Sequence, residues 1–207
     1  MRSSGRRLAA GAVSWIVFLC LAPGALAAQG PARSGFWLEG AIGTGTVRNS
    51  CHSCPYVTVA YGSADYFRIG GALSPRVLVG LEIFALSSSE LVLGPGAAPV
   101  EAENGSIAPI VIWYVGRSGF FLKGGAGLAR GSFLVRTASG QAVTTRRMGS
   151  SLTFGVGFDI GVVRWLALTA NLGTYVTAIG DVEVDGTPPV DDLIATVYEA
   201  GVGISLR

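Results

Sequence analysis

The sequence predicts an all-β chain: an eight-stranded antiparallel up-and-down transmembrane β-barrel. Three observations carry this. The chain is apolar yet poor in charge: of 207 residues, 50% are hydrophobic and only 14% charged, with a mean hydropathy of +0.52. Soluble domains carry about 25% charge. Past residue 28 there is no apolar run of helical length. The most apolar, Ile107 to Gly116, contains Pro109 and is about 10 residues, whereas a spanning helix needs about 20. Finally, eight alternating segments are joined by connections that are long and short in strict turn. In lipid, strands without a spanning helix satisfy their backbone only by closing into a barrel.

The same composition excludes other classes. A disordered chain needs low hydrophobicity and high charge. A nucleic-acid binder needs a dense basic face. The 31 glycines follow no Gly-X-Y period, which excludes collagen.

Residues 1–27 are expected to be a cleaved secretory signal. Arg2, Arg6 and Arg7 form a basic start, Leu8 to Leu21 is apolar, Pro23 and Gly24 break the run, and Ala25-Leu26-Ala27 offers a small-x-small cleavage site. An uncleaved anchor over Leu8 to Ala28 is the alternative. Lipidation at Cys20 is disfavoured, because Leu19 stands where a small residue is needed. Cleavage would remove three arginines and leave 12 basic against 13 acidic residues. Residues 28–34 form a short lead, and residues 35–207 form the barrel domain.

The strand-like segments lie near 35–47, 60–73, 77–87, 106–116, 119–134, 148–162, 165–178 and 193–206. Each alternates by two, as a half-buried strand does. Ser74-Pro75-Arg76, Gly116-Arg117-Ser118-Gly119 and Val163-Arg164-Trp165 are tight turns. Arg48 to Val59, Ser88 to Gly105, Thr137 to Arg147 and Ile179 to Asp192 are four long loops. Long loops at one end and tight turns at the other mark an up-and-down barrel.

The faces indicate which side meets lipid. Leu152, Phe154, Val156, Phe158 and Ile160 share one side of segment six, opposite Thr153, Gly155, Gly157, Asp159 and Gly161. Leu166, Leu168, Ala170 and Leu172 share a side of segment seven. Phe67, Ile69 and Leu73 oppose Tyr66, Arg68 and Gly70. Val77, Val79, Leu81 and Ile83 oppose Glu82. Phe120, Leu122, Ala126 and Leu128 oppose Lys123, Gly125 and Gly127. Tyr198, Ala200, Val202 and Ile204 oppose Glu199, Gly201, Gly203 and Ser205. The second set is small residues with about one charge per strand. That suits a narrow interior better than a solvated exterior. Segment four, apolar on both faces from Ile110 to Val115, fits this scheme least.

At this point the chain resembles the small eight-stranded bacterial outer-membrane β-barrels, the group of the OmpA transmembrane domain and OmpX. The resemblance rests on the opening Ser34-Gly35-Phe36-Trp37-Leu38, the glycine-alternating strands, the loop rhythm and a final strand at the end of the sequence. It implies a bacterial outer-membrane location, with outer-membrane lipid and the assembly machinery as partners. The chain departs from the family at Ile204-Ser205-Leu206-Arg207, where an aromatic residue usually closes the last strand.

Six charged residues fall on the inward parity: Glu39, Arg68, Glu82, Lys123, Asp159 and Glu199. An ion or proton path is one reading; a neutralising plug is favoured, because unpaired charge in a narrow interior is costly. Four acids against two bases require help, from water or from Arg130. Trp37, Trp113, Tyr114, Trp165 and Tyr175 are expected as interface-girdle aromatics. Asn104-Gly105-Ser106 reads as turn chemistry, and Gly62-Ser63-Ala64-Asp65 as a surface feature.

Cys51-His52-Ser53-Cys54 is the sharpest local motif. A thioredoxin-like reading lacks its βαβ context. A zinc site wants four ligands and finds three. An exported chain meets an oxidising compartment, so a Cys51–Cys54 disulfide is favoured. Its small ring contributes only about 2 kcal/mol in the chain-entropy model.

The favoured function is non-enzymatic, structural or in surface binding through the four long loops, with no catalytic residue, cofactor or metal and no nucleic-acid partner. One alternative is an outer-membrane lipid acyltransferase or deacylase built on a loop-rim constellation of His52, Ser87 to Ser89 and Glu90. Another is a soluble periplasmic lipocalin-like barrel, with the bulky apolar face inside and charge outside.

Overall fold

The structure, a computed structural model, describes residues 33–50, 58–91, 100–136, 142–182 and 190–207. Eight strands follow one another: β1 (Phe36–Ser50), β2 (Thr58–Ser74), β3 (Val77–Leu91), β4 (Val100–Tyr114), β5 (Phe120–Arg136), β6 (Ala142–Val163), β7 (Leu166–Val182) and β8 (Val190–Leu206). Each pairs antiparallel with the next, and β8 returns to β1 from Leu38↔Leu206 to Ser50↔Ile194, closing the barrel. Closure leaves no sheet edge in the apolar zone, as lipid demands.

Alternation puts the bulky apolar side chains outside. Leu152, Phe154, Val156, Phe158 and Ile160 of β6 are all exposed, as are Leu168 and Leu172 of β7 and Val202 and Ile204 of β8. Arg68, Glu82, Lys123 and Thr153, one residue out of phase with them, are buried. A lipocalin-like barrel requires the inverse parity, so that alternative is set aside.

The strands run further toward the loop end than the sequence pattern indicates. β4 begins at Val100 and β6 at Ala142, so Val100 to Gly105 and Ala142 to Arg147 are strand, not loop. Asn104-Gly105-Ser106 accordingly lies in β4 with Asn104 and Ser106 buried, not in a turn. Gly62-Ser63-Ala64-Asp65 lies in β2; Ser63 and Asp65 are exposed and Ala64 is buried. The physical reason is that ladder hydrogen bonds continue above the apolar zone, where alternation no longer separates lipid from lumen.

The lumen is layered. Toward the loops, Val47, Ala60, Leu86, Ile179, Leu193, Ala195 and Val197 form an apolar group with Tyr66, Phe84 and Tyr175. Toward the turns, Trp37, Leu78, Ala108, Ile110, Ile112, Tyr114 and Phe121 form a second. This explains β4: Ile110 and Ile112 fill the lumen while Ile107, Val111 and Trp113 face out. Trp37, Tyr114 and Tyr175 are thus interior residues and not girdle aromatics, whereas Trp113 and Trp165 are exposed. Glycine makes room where a neighbour needs it. A Cβ on Gly157 would lie 2.2 Å from Cζ of Phe121, and one on Gly173 would lie 2.6 Å from Oε1 of Glu199.

Candidate functional site

Charged side chains from separate strands converge in the lumen. Arg68 on β2 is fully buried and reaches three partners. Its Nη1 donates to Oε1 of Glu39 on β1 at 2.6 Å, its Nε to Oε2 of Glu82 on β3 at 2.5 Å, and its Nη2 to Oδ1 of Asn171 on β7 at 3.2 Å. Lys123 on β5 donates to the same Glu82 oxygen at 2.6 Å and to the Tyr175 hydroxyl at 3.0 Å. The Tyr66 hydroxyl donates to Glu39 at 2.9 Å. Asn171 donates to Glu199 on β8, which joins the network through an amide and not through a cation. Thr153 on β6 contributes a 3.5 Å contact to Glu82. Seven of the eight strands therefore supply this belt, β4 being the one that supplies none of these groups.

The rings beside the belt are part of it. The Arg68 guanidinium carbon lies 3.7 Å from the Tyr66 ring centroid, and Lys123 Nζ lies 4.8 Å from that of Tyr175. Tyr175 stacks on Phe84 with centroids 3.7 Å apart. Aromatic faces favour cations in a desolvated space.

A second polar cluster closes the turn end. Asp159 accepts from Thr169 at 2.8 Å and from the Tyr114 hydroxyl at 2.5 Å. It also pairs with the guanidinium of Arg207, which donates to the Tyr114 hydroxyl at 2.6 Å. Arg33, just before β1, lays its guanidinium 3.4 Å from the Tyr114 ring centroid. Arg130, by contrast, is exposed on the outer face of β5, so it is not the interior counter-charge. The further buried bases are instead Arg207, which pairs with Asp159, and Arg33 in the lead before β1. Among the described residues with defined burial, the acids Glu39, Glu82, Asp159 and Glu199 then stand against the four bases Arg33, Arg68, Lys123 and Arg207.

Among the described residues, no group of three or more His, Cys, Asp or Glu is placed to hold a metal ion. Cys51, His52 and Cys54 lie outside the described residues. Ser88 of the serine run is buried and donates to the Tyr61 carbonyl at 2.9 Å.

No family model and no curated protein matches the sequence. Solved structures do. Neisserial surface protein A (NspA) aligns at a TM-score of 0.53 and 16% identity, over 84% of this chain and 97% of its own. Ail, the attachment invasion locus protein of Yersinia pestis, aligns at a TM-score of 0.52 and 13% identity, over 83% of this chain and 99% of its own. The chain has the fold of the small eight-stranded outer-membrane β-barrels. The Ail structure in question is a complex with the heparin analogue sucrose octasulfate.

Proposed function

We propose that this chain is exported on residues 1–27, inserted into the bacterial outer membrane by the assembly machinery, and acts there without catalysis, as a structural or surface-binding barrel. The observation that carries the reading is the pairing of an apolar outer wall with a lumen crossed by ion pairs and hydrogen bonds between buried side chains of different strands. Eight strands leave an interior only wide enough for side chains to fill. Here those side chains bond to one another across the space, which supports a plug. Recognition is then the work of the loop end. Ligand binding at the surface accords with the complex seen for Ail.

Two measurements on the purified chain test this together. A folded barrel keeps a shifted gel mobility in mild detergent until it is boiled, and planar-bilayer recordings should show no stable porin-like conductance. Identical mobility with and without heating would remove the barrel. Large, steady conductance would remove the plug.

A further inference from the structure

The three tight turns each carry one arginine: Arg76 between β2 and β3, Arg117 between β4 and β5, and Arg164 between β6 and β7. All three are exposed, and none forms an ion pair among the described residues. The exposed residues of this end, among them Ser34, Phe36, Pro75, Val115, Ser118, Val162, Val163 and Trp165, include no acidic side chain. The acidic side chain nearest this end, Asp159, is buried and already paired with Arg207. The loop end differs, with Asp65, Glu101 and Glu103 exposed alongside Arg48, Arg130 and Arg146.

Each turn arginine stands directly beside outward apolar or aromatic residues. Arg164 is followed by Trp165, which is 59% exposed. The Arg76 carbonyl accepts from the Tyr114 amide at 2.8 Å, and Val77 pairs with Trp113, itself 49% exposed. Arg117 lies between exposed Val115 and Phe120. The turns thus place cations at the edge of the apolar wall.

We infer that Arg76, Arg117 and Arg164 form a ring that binds anionic glycerophospholipid headgroups of the leaflet facing the turns. Charge complementarity selects a phosphate-bearing partner, and the adjoining Trp113, Trp165 and Phe120 select a lipid over a soluble polyanion. A headgroup phosphate accepts the guanidinium hydrogen bonds while its chains lie along the apolar wall. Three unpaired cations on one rim repel one another, and anionic lipid removes that repulsion. The inference rests on the membrane reading proposed above.

The ring carries its own probe. Once residues 1–27 are removed, the tryptophans are Trp37, inside the lumen, and Trp113 and Trp165, beside the ring. Fluorescence quenching by brominated phosphatidylglycerol and brominated phosphatidylcholine in mixed vesicles therefore reports which lipid sits there. The expected result is a preference for phosphatidylglycerol of about fivefold per arginine site, suppressed by high salt. Arg76→Gln with Arg117→Gln and Arg164→Gln should abolish the preference, and the corresponding lysine variant should retain it. Heat-shifted mobility confirms that each variant is folded. Equal quenching by both lipids in the parent, or an unchanged preference in the glutamine variant, overturns the inference while leaving the membrane reading intact. Quenching by neither lipid overturns both. Binding to purified cell-wall sacculi that depends on the arginines, without any lipid preference, reassigns the ring to a wall polymer.

Discussion

Arg68→Met is the most informative single change in the lumen. The methionine keeps much of the volume and removes the charge. Three contacts vanish at once, to Glu39, Glu82 and Asn171. Their consequences differ. Glu82 keeps Lys123 at 2.6 Å, so its charge stays compensated. Glu39 keeps only the neutral Tyr66 hydroxyl, and its carboxylate becomes an unpaired charge in a space that excludes bulk water. Breaking a buried pair in this way costs about 3–5 kcal/mol. Lys123→Met should cost less, about 2 kcal/mol, since Glu82 then retains Arg68. Adding Glu39→Gln to Arg68→Met removes the stranded charge and should recover at least half of the loss. Urea unfolding of the vesicle-inserted protein, followed by the heat-shifted gel band, measures all three variants and the coupling between them. If Arg68→Met unfolds within about 1 kcal/mol of the parent, the lumen is solvated and the plug reasoning fails. If the double variant is no more stable than Arg68→Met alone, Glu39 was never stranded.

Three further outcomes follow from the geometry. Gly157→Val should destabilise the barrel by about 1–3 kcal/mol or more, because its Cβ collides with Phe121; Gly124→Ala, whose Cβ meets nothing nearer than 4.0 Å, should unfold like the parent. Arg207→Ala should cost about 2 kcal/mol by leaving Asp159 with only the Tyr114 and Thr169 hydroxyls, and an unchanged unfolding midpoint would show Asp159 to be solvated. Cys51→Ser with Cys54→Ser should leave insertion and heat-shifted mobility intact, and thiol labelling of the parent should require prior reduction. Loss of the folded band in that double variant would mean that the first loop holds the barrel together.

Period-two alternation carried most of the fold. In β6, five large apolar residues from Leu152 to Ile160 sit on one parity with Thr153 and Asp159 on the other, and only one arrangement satisfies both lipid and lumen. The strand ends above the apolar zone were not legible. Around Glu101 to Gly105 both faces are small or polar, so the residues look like a loop although they pair fully with β5. The girdle expectation holds for the exposed Trp113 and Trp165 and fails at Trp37 and Tyr114 for a related reason. Trp37 and Tyr114 lie next to strand ends, where girdle residues also lie, and proximity to an end outweighed their inward parity. Parity alone places Trp37 with Glu39, and Tyr114 with Ile112, inside the wall.

The charge balance of the lumen shows where such reasoning stops. Strand parity found six interior charges and an apparent deficit of two bases, because parity exists only within strands. Arg33 precedes β1 and Arg207 follows β8, so neither has a face until the barrel closes and its two ends meet at one rim. Arg207 then does in this chain what an outward terminal residue does not: it turns inward onto Asp159 and Tyr114. A composition cue was present, since the lumen needed cations and both ends supplied arginine. The same closure shapes the opposite end. Strands of 15 to 22 residues exceed the span of 9–11 that a bilayer requires. With strands tilted by about 45°, six surplus residues raise the wall by roughly 15 Å above the apolar zone. Exposed Asp65, Glu103, Arg130 and Arg146 stand on that raised wall. The surface proposed for recognition therefore includes paired strand backbone as well as the four long loops.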